Sequence, residues 1–275
     1  MTKFKRRIPQ YILLLVLIVI SVIIITPYIW MILTSFRSNS EIMKNPGTMI
    51  PINWTINGYI KVLTKSPFFK WFINSLFVAT LVTTAVILTS TVSGFVFSKY
   101  KFKFKNTFFW IVLATMMVPY PTTMIPGFLI IDNLGLYNSI AALIVPALVS
   151  GFGVYLCRQF CDEIPDSLCE AALIDGAGPV RIYTSIILPQ LKPCIAALGI
   201  FTFLESWNEY LKPLIMLSEV RNMTLPLALS YFSDQHTNDL SAVMAASALI
   251  MIPVTILLLC FQKQFIKGVA ITGMK

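Results

Sequence analysis

Residues 8–33 read IPQYILLLVLIVISVIIITPYIWMIL, an apolar run broken only by Pro9, Gln10, Ser21, Thr26 and Pro27. A helix rises 1.5 Å per residue, so about 20 such residues cross the hydrocarbon core of a bilayer. This run is long enough. Lys3, Lys5, Arg6 and Arg7 precede it as they would precede a secretory leader. However, it exceeds the 7–15-residue core of a signal peptide, and no small-residue cleavage pattern follows it. The reading is a retained membrane anchor.

Five more runs follow: Trp71 to Phe97, rich in Thr and Ser; Phe108 to Ile131; Ile140 to Leu156; Pro193 to about Leu217; and Ala242 to Phe261. Composition agrees, with 57% hydrophobic and 12% charged residues, whereas soluble domains carry about 25% charged residues. The runs predict an all-α integral membrane protein with six transmembrane helices. A cytoplasmic terminus at 1–7, a membrane domain over 8–262 and a cytoplasmic tail over 263–275 follow from them.

Basic residues orient the spans, because short cytoplasmic segments collect Lys and Arg. With both termini inside, the inner segments hold Lys3, Lys5, Arg6, Arg7, Lys99, Lys101, Lys103, Lys105, Arg158, Arg181, Lys192, Lys263, Lys267 and Lys275, two thirds of the 21 basic residues. Five of the other seven, Arg37, Lys44, Lys61, Lys65 and Lys70, lie in one longer outer loop. The net charge of +9 is thereby a membrane-topology signal. No basic stripe with interleaved aromatics stands apart from it, which argues against nucleic acid as a partner. Cys157, Cys161, Cys169, Cys194 and Cys260 match no paired metal-ligand spacing, and His236, the only histidine, has no companion ligand nearby. No metal site is expected.

The longest cytoplasmic loop, 158–192, is too polar to span, yet its punctuation predicts two short helices. Pro165 suits a first turn. Ser167 with Glu170 three residues later has capping-box spacing, and Gly176 supplies a stop. Pro179 opens a second helix through Ile187, and Pro189 breaks it just before the fifth span. Such a pair, small-faced at Ala171 and Ala172, suits docking into a groove on another protein; a simple connector is the alternative.

The spacing Glu170-Ala171-Ala172, three residues, Gly176, nine residues, Ile186, one residue, Leu188-Pro189 resembles in every fixed position the EAA loop of ABC-importer permeases. The flanks Ile164-Pro165-Asp166-Ser167-Leu168 and Ile174-Asp175-Gly176-Ala177 are similar to the carbohydrate-importer branch, the small permease of the maltose-transporter kind. So are Thr34-Ser35-Phe36-Arg37, Pro51-Ile52-Asn53-Trp54-Thr55 with Asn57 and Tyr59, Pro119 with Pro126, Gly135-Leu136, and Trp207-Asn208-Glu209-Tyr210 before Pro213-Leu214. Phe265-Ile266-Lys267-Gly268 resembles the family's ending, while 271–275 departs from it.

The resemblance implies a type I ABC importer permease (MetI-like) fold in a bacterial plasma membrane, acting on sugars or oligosaccharides. It implies a second permease subunit, a cytoplasmic ABC ATPase dimer and an extracellular solute-binding protein as partners. Coupling to the ATPase would then fall to Glu170, Ala171, Ala172, Asp175, Gly176, Ile186, Leu188 and Pro189. The chain itself would bind no cofactor and catalyse no reaction. ATP and Mg would act through the partner, and no G-x-x-x-x-G-K-[ST] phosphate loop occurs here.

Acids inside a bilayer usually face water or a bundle interior. Glu205 and Glu209, four apart in the fifth run, are expected on one helix face. Glu209 and Asn208 would face a translocation path and Glu205 a helix neighbour such as Thr83, Thr84 or Ser90. Pairing of Glu209 with Lys212, or capping of backbone at Pro213, is the competing reading. A secondary transporter would show internal repeat symmetry, which is not found, and a membrane enzyme would need clustered catalytic groups. A permease for another solute shares the EAA loop and stays open.

Overall fold

The structure, a computed structural model, describes the backbone of residues 8–234 and 239–272 and the side chains of 11–232 and 239–260. The expected terminus 1–7, His236 and the side chains of the tail 263–275 lie outside the described residues. Everything described is helix or connection. Four helices are long and apolar enough to cross a membrane, and two sharply bent helix pairs bring the number to six if each pair is one span.

The chain divides into two compact units. The first comprises Met1–Phe68 and Leu229–Ile252. Its first helix, α1 (Ile8–Ser35), has no residue of its most apolar window buried. A helix apolar on every side belongs in lipid or against another membrane surface. Beyond it come α2 (Asn39–Lys44) and α3 (Asn57–Lys65), and α2 with the loop after it closes around Arg37, which is completely buried. The guanidinium donates to Glu41 Oε1 at 2.9 Å and to the carbonyls of Thr48, Glu41 and Asn45. Glu41 in turn accepts from the backbone N–H groups of Ile52 and Asn53. The loop 45–56 is thus tied to one buried cation, and Lys61 pairs with Asp239 in the same unit.

The Ile52 N–H bond, helped by Arg37 and Asn53 against desolvation, holds the Glu41 carboxyl below its ordinary value of 4.5. A depressed folded-state pKa contributes stability that is present above the unfolded value and lost as pH falls through the folded one. Arg37→Met removes the donor at every pH, leaving the Thr48, Glu41 and Asn45 carbonyls without it, and is expected to destabilise this unit. Limited proteolysis should then cut within 45–56 at neutral pH. The unsubstituted protein should show the same loosening only on acidification below pH 4.5.

The second unit comprises Phe69–Ala228 and Pro253–Lys275. Its long member is α4 (Phe68–Lys99), which has no internal proline. The third expected span is not one straight helix: α5 (Lys105–Met117) and α6 (Tyr120–Asn133) meet at 103°. Val118 is extended, and Pro119 cannot donate the N–H that would carry α5 onward. The fourth run forms α7 (Ala141–Ile144), a 3₁₀ turn Val145–Ala147 and α8 (Gly151–Asp162). The loop region gives α9 (Asp166–Ile174), α10 (Pro179–Ile182) and α11 (Leu188–Gln190). The fifth run gives α12 (Lys192–Trp207) and α13 (Leu211–Met216). After α14 (Leu225–Asp234), α15 (Leu240–Thr272) supplies the sixth span and continues as helix into the expected tail.

At Gly94 α4 and α8 approach so closely that a Cβ there would lie 2.6 Å from Cys157 Cβ and 2.7 Å from the Arg158 nitrogen. Only glycine permits that contact without moving backbone. Cys157, Cys161 and Cys194 are fully buried, with Cys157 and Cys194 sulfurs 3.6 Å apart as free thiols. They fill the junction of α8 and α12 as small apolar groups.

Candidate functional site

The described part of the second unit encloses a cavity of about 170 Å³. One wall is α4, through Val78, Val82 and Val86. The others come from places where helices are interrupted: Leu143, Pro146, Ala147, Val149 and Ser150 around the 3₁₀ turn, and Thr202, Glu205, Ser206, Glu209, Lys212 and Pro213 around the end of α12. Thr224 completes the lining. Irregular backbone at membrane depth is tolerated where it is buried in protein or lines a wet space. Helix breaks converging on one polar cavity are the usual construction of a membrane solute site.

The fifth span departs from expectation at the cavity itself. α12 stops at Trp207, and Asn208 donates to Leu204 O twice, from its backbone N–H at 3.1 Å and from Nδ2 at 2.9 Å. Asn208 is therefore brought to the helix end rather than to the cavity wall. Glu209 no longer shares a helix face with Glu205. Its Oε1 accepts from the N–H groups of Leu211 at 2.9 Å and Lys212 at 3.2 Å, starting α13. Its Oε2 lies 3.8 Å from Lys212 Nζ. Both carboxylates nevertheless line the same cavity, with Glu209 also capping the start of α13.

Glu205 does not bond to the second span. Thr83 Oγ1 and Ser90 Oγ are buried without a partner, and Thr84 donates to Thr80 O. The carboxylate opens into the cavity, where water can solvate it, instead of bearing the cost of a buried contact. The resulting lining has two carboxylates and one ammonium, and the Lys212 ammonium also lies 5.0 Å above the Tyr120 ring. Thr224 Oγ1, buried and without a protein partner, adds a polar group to the same wall.

The loop at the other end of α4 is a helix pair. α9 begins at Asp166, with Pro165 in the cap position and no side-chain cap. The expected Ser167–Glu170 capping box does not form, because the helix starts two residues earlier and places Ser167 in its first turn. What fixes the start is Lys99, whose ammonium donates to Ile164 O and to Asp166 Oδ1. The stop is as expected: Gly176 has φ +77°, its N–H bonds Leu173 O, and the Ala177 N–H bonds Ala172 O at 2.9 Å. Those two bonds are a Schellman closure, which needs the left-handed residue that glycine supplies.

Pro189 does not end the second helix. Residues Tyr183–Ile187 widen into a π turn, after which α11 carries Pro189 and the chain bends by 76° at Leu191 into α12. The wider turn makes room for a ring that would otherwise strike the carbonyl four residues back. Within the resemblance motif Glu170, Ala171, Asp175, Gly176 and Pro189 are exposed, Ile186 and Leu188 are half-buried, and Ala172 packs inward on the core of its own unit. Sequence reasoning missed the exposed apolar groups on this pair: Leu173, Ile174 and Val180, the last two 86% and 74% exposed. Their spacing carries no marker that separates an exposed leucine from a buried one.

Residues 87–271, which include the end of α4, the loop and the α12–α13 break, match the family described as binding-protein-dependent transport system inner membrane component. The chain is similar to the arabinooligosaccharides transport system permease protein AraQ of Halalkalibacterium halodurans, at 34% identity over 93% of each chain. It is also similar to AraQ of Bacillus subtilis, at 33% identity over 96% of this chain and 95% of that one. The sn-glycerol-3-phosphate transport system permease protein UgpE of Salmonella typhi is 35% identical over 81% and 80%. The fold matches a chain of the crystal structure of a bacterial ABC transporter involved in the import of the acidic polysaccharide alginate, with TM-score 0.85, 22% identity, and 96% and 99% of the two chains covered. An apolar helical architecture with four to six candidate membrane spans, a cavity at helix breaks and the helix-pair loop coincide with that match, and the chain belongs to the family of binding-protein-dependent transport inner-membrane components.

Proposed function

We propose that this chain is one permease subunit of a bacterial plasma-membrane ABC importer for sugars or oligosaccharides. The observation that carries the reading is the connection of two sites by one element: α4 forms a wall of the polar cavity and ends against the exposed helix pair α9–α10. Leu173, Ile174 and Val180 expose apolar surface on a loop otherwise rich in polar groups, which suits burial in a partner's groove. The partner is a cytoplasmic ATPase dimer that binds ATP and Mg. A second permease completes the path, and an external binding protein delivers the solute.

Coupling is mechanical. Closure of the ATPase dimer on nucleotide displaces the helix pair, with Glu170 and Ala171 on its outward surface and Gly176 fixing its shape, and the cavity walls follow. Glu205, Glu209 and Lys212 offer the hydrogen-bond acceptors and donors that sugar hydroxyls need. The carbohydrate assignment is supported by the similarity to the AraQ arabinooligosaccharide permeases.

Reconstitution of the chain with its second permease and ATPase in proteoliposomes tests this. Binding protein loaded with an oligosaccharide is expected to stimulate ATP hydrolysis and uptake. Stimulation by a phosphate ester alone would move the solute class to that of the UgpE relative. Uptake that proceeds without any ATPase would overturn the permease reading.

A further inference from the structure

Lys99 is the last residue of α4 and is nearly buried, with 7% of its side chain exposed, whereas its partner Asp166 is 76% exposed at the start of α9. A lysine is rarely buried unless its ammonium is paired, and here Ile164 O and Asp166 Oδ1, the latter at 2.6 Å, take two of its three donors. The Lys99 bond and charge also hold the Asp166 carboxyl below its ordinary value of 3.8. A second fastening lies two turns up α4, where Thr91 Oγ1 and Tyr183 Oη are 2.8 Å apart and the Phe95 and Tyr183 rings are 5.6 Å apart. The helix pair is therefore attached to α4 near both of its ends. The corner is braced further by Ser98, which donates to Asp162 at 2.6 Å.

α4 then runs without proline to Val86, Val82 and Val78 of the cavity. Thirteen residues separate Lys99 from Val86, about 20 Å of helix. Along that length α4 lies in close contact with α8 at Gly94.

We propose that Lys99 is a positioning residue that clasps the start of the coupling helix α9 to α4, so that loop displacement reaches the cavity wall through α4 as a lever. This rests on the permease reading above. It assigns to the Lys99–Asp166 clasp the transmission of motion, separate from docking, which belongs to the exposed face of α9 and α10. Without the clasp the ATPase still docks and hydrolyses ATP, but α9 moves without carrying α4 along.

The full transporter in proteoliposomes is the system for the test, with uptake and ATP hydrolysis measured on the same samples and abundance checked separately. Asp166→Ala alters an exposed side chain and leaves assembly intact. It is expected to keep stimulated ATP hydrolysis within twofold while solute moved per ATP falls about tenfold. Lys99→Arg, whose fork can still reach both acceptors, is expected to stay near normal. The exchange Lys99→Asp with Asp166→Lys is expected to recover part of the ratio lost in Asp166→Ala. A ratio of solute to ATP that is unchanged in Asp166→Ala, or hydrolysis and uptake that fall together, overturns the clasp while leaving the permease reading in place. An unsubstituted transporter with no ATP-dependent uptake overturns both.

Discussion

Gly176→Pro and Glu170→Lys are each expected to reduce uptake at least a hundredfold while the chain remains in the membrane at normal abundance. Gly176 stands at φ +77°, a region that costs about 1–2 kcal/mol for a residue with a Cβ and that the proline ring cannot enter. Proline also deletes the N–H that closes on Leu173 O, so the turn that sets α10 against α9 is lost. Gly176→Ala separates conformation from contact. No atom lies within 4 Å of the Cβ it would add, so it should cost only about 1 kcal/mol and keep most of the activity. Glu170 projects from the exposed side of α9, where a lysine leaves the fold untouched but reverses the charge presented to the ATPase. Uptake assays on membranes with equal amounts of protein check both variants. Normal uptake by both would remove the coupling role from this loop.

Replacing Glu209 with alanine is expected to lower uptake by tenfold or more with the complex still assembled. The carboxylate has two roles that the structure keeps distinct: Oε1 begins α13 by accepting two backbone N–H groups, and Oε2 faces Lys212 at 3.8 Å. Loss of the cap costs about 1 kcal/mol, too little to unfold the chain. It does leave Lys212 in the cavity without its nearest anion and frees the turn that places it. Glu209→Gln preserves an oxygen for the two N–H groups and discards the charge. If position matters, Gln retains most uptake; if charge matters, Gln falls with Ala. Glu205→Leu, by contrast, should leave assembly unchanged, because that carboxylate bonds to no residue of α4, and should alter uptake only. Uptake indifferent to both Glu205 and Glu209 would place the solute path elsewhere.

Much of this was legible along the chain because a bilayer imposes a length on apolar helices. Ile8–Ser35, Phe68–Lys99 and the start of the sixth span coincide with their runs to within a few residues. Gly176 was legible for a similar reason, since one glycine at a helix end has one common geometry. Hydropathy cannot report a break inside an apolar stretch. Residues 108–131 and 193–217 read as single spans, yet the first bends at Val118–Pro119, where proline cannot donate, and the second ends at Trp207, where Asn208 Nδ2 bonds Leu204 O and Glu209 Oε1 accepts from the Leu211 N–H. Those breaks are what place Glu205, Glu209 and Lys212 at one cavity. Lys99 was equally hidden. In sequence it is one of several inner-side cations, and only the packing of α4 against the start of α9 makes it the buried one, since burial of an ammonium is affordable only where a carboxylate and a carbonyl converge on it. Sequence periodicity determined which segments enter the membrane; tertiary packing decided where they bend, and so which charged groups meet.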